Sequence, residues 1–182
     1  MQSQRATTLT HESLVEVPPF RPDLRVVTSE RSPRLFRTLG VVTAALVAAG
    51  GYMHFCLYRH GYRAIPNIGV GFLLQVLTSA IVVAALLIGP HRVARMAHVT
   101  DRLAGAMTGL AAAALAAGTL AAFALTRTPG GLFNFQERGL QPAPQALIAL
   151  VAEVGVLVAL GAWMVADHML QRQARPVRAP PV

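Results

Sequence analysis

Residues 68–88 read IGVGFLLQVLTSAIVVAALLI, twenty-one positions without one charged side chain and with a single carboxamide, Gln75. A run of about 20 apolar residues is what an α-helix needs to cross the hydrocarbon of a bilayer. Neither face of the run is polar, so a soluble fold would have to bury it on all sides, whereas lipid solvates it without further help. Gly89 and Pro90 follow at once and mark its end.

Three more runs of this kind flank it. Thr38 to Tyr58 forms the first span, and Ser32-Pro33 just before it carries a helix-start signature, a capping hydroxyl followed by a proline that needs no donor. Leu103 to Leu125 forms the third, closed by Pro129, Gly130 and Gly131. Pro144 to Ala166 forms the fourth. The short connector Arg59 to Asn67, with Gly61 and Pro66, requires the second span to return antiparallel to the first. A basic connector, His91 to Arg102, precedes the third span. The sequence therefore predicts an all-α integral membrane four-helix bundle: a four-span domain over 33–166, with spans at 38–58, 68–88, 103–125 and 144–166. Residues 1–32, polar and interrupted by Pro18, Pro19 and Pro22, and residues 167–182 read as disordered tails. The first apolar run begins after a long polar stretch and is too long for the core of a cleavable signal peptide.

Of 182 residues 54% are hydrophobic and only 13% charged, about half the charged share of an ordinary soluble domain. The net charge of +8 comes from sixteen basic residues, all arginine, none of them inside an apolar run. That placement follows membrane topology and argues against a nucleic-acid-binding surface. The tail up to Arg37, the connector with Arg92, Arg95 and Arg102, and the C-terminal segment with Arg172, Arg175 and Arg178 fall on one side of a four-span chain. The other side holds Arg59, Arg63, Arg127 and Arg138. The imbalance predicts both termini in the cytoplasm. Arginine without lysine, in an alanine-rich chain, points to a GC-rich bacterial source and hence a plasma-membrane location.

Polar residues inside spans are the informative ones, because hydrocarbon offers them no hydrogen bonds. Glu153 is the clearest: a carboxylate at this depth costs on the order of 3 kcal/mol on insertion scales unless protonated or paired, so it turns inward. Gln75 reaches a similar depth in the second span, and His54 lies one turn below the end of the first. Gly50, His54 and Tyr58 share one helical stripe; Gly71, Gln75 and Ser79 share another. Two readings follow. In one, His54, Gln75 and Glu153 line an outward-opening pocket for a proton, a cation or a small polar ligand, with Thr119 able to join. In the other, preferred on sequence grounds, Glu153 is a structural clasp that pairs with His54 or Gln75 and fixes helix register.

Gly105 and Gly109, continued at the same spacing by Ala113 and Ala117, give the third span a smooth ridge, suited to packing in the bundle or to a homo-oligomer or membrane-protein partner. The connector Thr126 to Ala143 carries Leu132, Phe133, Phe135 and Leu140 and is expected to lie on the membrane surface or tuck over the bundle. The lone Cys56 cannot form an internal disulfide. No metalloprotease, nucleophile-elbow or phosphate-loop motif is present, and His54 is the single histidine within a span, so no enzyme activity, metal or cofactor is expected.

The segments 58–66, YRHGYRAIP, 72–75, FLLQ, and 131–139, GLFNFQERG, resemble small multi-span membrane proteins of GC-rich, actinobacterial-type bacteria. The resemblance implies a four-span fold and carries no activity or residue role. The expected function is that of a non-enzymatic accessory or structural component of the plasma membrane. The alternative is a small transporter or a proton- or cation-coupled binding protein with its pocket around Glu153.

Overall fold

The computed structural model describes residues 33–173, all of them helix, turn or loop apart from one isolated bridge between Leu132 and Phe135. The helices are α1 (Pro33–Arg59), α2 (Ile68–Ile88), α3 (Pro90–Ala97), α4 (Asp101–Leu125) and α5 (Gln145–Gln173), with one 3-10 turn at Tyr62–Ala64. Four of them, α1, α2, α4 and α5, are long and apolar enough to cross a membrane. By helix composition the chain is a multi-pass membrane protein. The expected tails at 1–32 and 174–182 lie outside the described residues.

Local chemistry sets the boundaries. Gly89 ends α2 with its amide on the Ala85 carbonyl, and its positive φ of 83° turns the chain directly into α3, whose first turn bonds back to the Gly89 carbonyl. The basic connector at 91–102 is partly helical, because Gly-Pro ends α2 and at once starts α3: Pro90 takes a first-turn position, where its missing N–H is not needed. Thr100 caps α4, its hydroxyl accepting from the Leu103 amide at 3.3 Å, with Asp101 in the first turn. This cap starts α4 two residues before the expected Leu103. At the other end of the chain α5 runs on to Gln173, so residues 167–173 are helix and not disordered tail. Nothing between Ala166 and Gln173 breaks a helix, the next proline is Pro176, and Gln171 hydrogen-bonds Asp167 one turn back.

Around the bundle the order is α1, α2, α4, α5: α1 packs along α2 and α5, and α4 along α5 and, more briefly, α2. In lipid the hydrophobic effect does not drive helices together, so close approach of small residues and van der Waals packing carry the association. Adjacent glycines on α1 do this in two directions. A Cβ on Gly51 would lie 2.7 Å from Ser79 Cβ of α2, and a Cβ on Gly50 would lie 2.7 Å from Glu153 Oε1 of α5. The central core joins Val47, Val82, Ala112, Ala116, Val156 and Leu160, with Trp163 packed against it. Trp163 also lies over the α4 glycines, 3.4 Å from a Cβ placed on Gly109 and 3.9 Å from one on Gly105. The Gly105–Gly109 ridge is thus filled by a side chain of the same bundle. Large apolar side chains cover the outside, among them Ile81 and Leu110 at 70% and 71% exposure, which is the surface that lipid solvates.

Two substitutions separate backbone approach from polarity at the α1–α2 contact. Gly51→Ala should lower thermal stability in detergent by about 1–3 kcal/mol, because Ser79 Cβ cannot swing away. Ser79→Ala should leave stability unchanged or raise it by up to about 1 kcal/mol, since the buried Ser79 hydroxyl makes no hydrogen bond among the described residues.

Candidate functional site

At the end of the bundle that carries the 60–67 and 126–144 connectors, the three in-span polar residues picked out in the sequence line one cavity of ≈ 290 Å³. Glu153, eight residues into α5, is 2% exposed. Gln75, seven residues into α2, donates from Nε2 to Glu153 Oε1 at 3.2 Å. This bond spans the bundle's diagonal, and it forms because Gly50 leaves the carboxyl group room against α1. His54 is also buried, its Nδ1 2.8 Å from the Gly50 carbonyl oxygen. A carbonyl only accepts, so Nδ1 carries the proton, and Nε2 of the neutral ring is left as an acceptor. Neither that Nε2 nor Glu153 Oε2 has a hydrogen-bond partner among the described residues. Thr119 also lines the cavity, but its hydroxyl is already committed to the Leu115 carbonyl at 3.0 Å.

From His54 an aromatic column rises toward the connectors. The His54 ring lies 5.1 Å from Phe72, Phe72 stacks on Tyr62 at 4.9 Å, and Tyr62 meets Phe135 edge-on at 5.8 Å. These are ordinary spacings for aromatic pairs, each adding about 0.5–1.5 kcal/mol beyond area burial. The walls between are apolar, including Phe123, Ala149 and Leu150.

The roof is the 126–144 connector, held by residues the sequence did not single out. Arg127 Nη1 pairs with Glu137 Oε2 at 3.1 Å, both side chains being largely buried. The same guanidinium donates to the carbonyls of Phe123 (3.0 Å), Gly139 (2.9 Å) and Gln141 (2.9 Å), and lies 3.4 Å over the Phe123 ring. Glu137 in turn accepts the Tyr62 hydroxyl, while its amide bonds the Thr126 carbonyl at 2.9 Å. One planar fork thus staples both ends of the connector to the top of α4. Gly131 allows the tight turn beneath: its φ is 61°, and a Cβ there would sit 2.1 Å from the Phe135 carbonyl oxygen. The connector accordingly tucks over the bundle, with Leu132, Phe133 and Phe135 on the cavity, Phe133 at its exposed edge, and Leu140 exposed. Glu137 pairs with Arg127, not with its sequence neighbour Arg138. The signal was absent from local spacing, since Tyr62 and Glu137 stand 75 residues apart.

Among the described residues no group of three or more His, Cys, Asp or Glu side chains converges to hold a metal ion. Comparison of the chain with protein-family models, with curated proteins and with solved structures gives no match.

Partial burial and the bond to Glu137 raise the Tyr62 hydroxyl above its ordinary range. The folded state therefore keeps the Tyr62 proton where the unfolded chain has lost it. The resulting contribution is full below about pH 10 and declines as pH rises beyond it. Amide protection in 128–141, taken relative to the intrinsic base-catalysed rate, should fall above that pH in the wild type, and Tyr62→Phe should remove this alkaline loss. Arg127→Gln should accelerate the same amides already at neutral pH, because it leaves the Glu137 carboxylate unpaired.

Proposed function

We propose that the chain is a non-enzymatic ligand-binding protein of the bacterial plasma membrane, which holds a small amphiphile bearing an amine or other hydrogen-bond-donating head inside the helix bundle. Both termini are cytoplasmic in this reading, and the roofed end of the cavity faces outward, as the arginine distribution favours. The observation that carries it is a cavity beside a buried acid whose second oxygen has no hydrogen-bond partner among the described residues.

A clasp needs no empty volume. If Glu153 served only to fix helix register, the Gln75 bond could be packed around tightly, and apolar side chains would fill the remaining space. Instead a space near the lower end of the roughly 300–1,000 Å³ range of ligand pockets adjoins it. Glu153 Oε2 and His54 Nε2 are its free polar groups, and an amine head can take the acid's proton and then donate to the carboxylate it leaves. Among the described residues Arg127 is the one arginine lining the cavity, and its positive charge is already matched by Glu137, which disfavours an anionic head. The apolar walls suit a short hydrocarbon or aromatic body.

Native mass spectrometry and isothermal titration of the purified protein with n-octylamine test the reading. Saturable one-to-one binding is expected, weakened about 10- to 100-fold in Glu153→Gln by loss of a charge-assisted hydrogen bond. Binding unchanged in Glu153→Gln, or no saturable binding by the wild type, would leave Glu153 as a clasp.

A further inference from the structure

We infer that the ligand of this cavity is admitted sideways from the lipid, between α2 and α4 at Gly71 and Gly118, and so belongs to the class of membrane-dissolved amphiphiles instead of water-borne solutes. The inference rests on the binding role proposed above and specifies its substrate class.

Four observations converge on that seam. First, α2 and α4 touch over less of their length than the other adjacent pairs of spans. Second, Gly71 of α2 and Gly118 of α4 both line the cavity and are both exposed. A lining residue that is exposed and has no side chain is where the wall of the cavity is thinnest. Third, a Cβ built on either glycine meets nothing within 4 Å, so the space beside each is open. These two glycines differ from Gly50 and Gly51, which are forced to be small by a neighbour: here the missing side chain leaves a gap, not a contact. Fourth, the surroundings are hydrocarbon-compatible. Val70 and Leu74 are exposed next to Gly71, and Ala114, Ala117 and Ala121 next to Gly118.

Depth agrees. Gly118 lies seven residues before the end of α4, about 10 Å below the roof and level with Gln75 seven residues into α2, while Gly71, three residues into α2, lies about 6 Å nearer the roof, so the opening runs obliquely down the seam. An opening at this level faces acyl chains, and a molecule passing through it meets the Glu153–Gln75 pair directly. The competing route is through the roof near Asn67 and Phe133, the other exposed residues of the lining. That route is obstructed by the Arg127 staple and the Tyr62–Glu137 bond, which would have to break.

The test is time-resolved photolabelling of the full-length protein in lipid nanodiscs with a diazirine-bearing octylamine, cavity adducts being read by peptide mass spectrometry. Wild type and the alanine controls Gly71→Ala and Gly118→Ala should label at similar rates. The double variant Gly71→Leu, Gly118→Leu should fold, since both positions are open; because both also line the cavity, its equilibrium affinity for n-octylamine is measured alongside, and it should label roughly ten-fold more slowly than that affinity accounts for. Arg127→Gln, which loosens the roof, should leave the rate unchanged. Leucine variants that label at the wild-type rate, or a rate that rises in Arg127→Gln, would overturn lateral admission while the loss of labelling in Glu153→Gln still upheld the binding role. Labelling that Glu153→Gln does not diminish, or no cavity adduct in the wild type, would overturn the binding role and this inference with it.

Discussion

A carboxyl group placed inside an apolar bundle cannot be left to the lipid, and most of the arrangement at one end of this protein follows from accommodating Glu153. Its depth in α5 demands a partner from another helix, which Gln75 of α2 supplies across the diagonal. Its bulk demands that α1 yield space, which Gly50 does by having no side chain. Because Gly51 beside it draws α2 close through Ser79, the two consecutive glycines fix α1 between α2 and α5 at the level of the acid. The position of α1 in the bundle and the chemistry of the cavity floor are one constraint seen from two sides.

The roof solves a different problem with similar means. A connector of nearly twenty residues has many backbone carbonyls, and near a membrane surface each needs a donor. Arg127 answers several of them with one rigid fork while its charge is met by Glu137. Lysine, a point charge on a flexible stem, could not satisfy carbonyls in three directions and lie flat on Phe123 at the same time. Floor and roof are joined by the column of His54, Phe72, Tyr62 and Phe135, so a change at the acid has a packed path of rings to the connector.

The architecture was readable in the sequence because hydrocarbon imposes a length and a composition on anything that crosses it; the bounds of α2, 68–88, agree with the apolar run residue for residue. His54, Gln75 and Glu153 were readable as a group for a related reason. Polar atoms in lipid are few, and helical rise converts sequence position into depth. That logic ends at the membrane surface, where polarity is ordinary. Arg127 counted there only as a topology charge, Tyr62 and Glu137 carried no signal of their own, and no periodicity announced that the three meet. The helix α3 and the last turns of α5 were hidden by a similar ambiguity: Gly-Pro can end a helix or start the next one, and a charged stretch after a span can be helix or coil.

Trp163, seated over Gly105 and Gly109 and edge-on to Phe36 at 6.3 Å, is the chain's single tryptophan. It lies ten residues beyond Glu153 on α5, about 15 Å further along the axis. The protein therefore contains one indole, excitable at wavelengths where its three tyrosines do not absorb, placed where α4, α5 and the start of α1 come together and remote from the cavity. Its emission is a readout of helix assembly that is insulated from events at the acid, and any optical change there on filling the cavity would signal motion carried along the whole bundle.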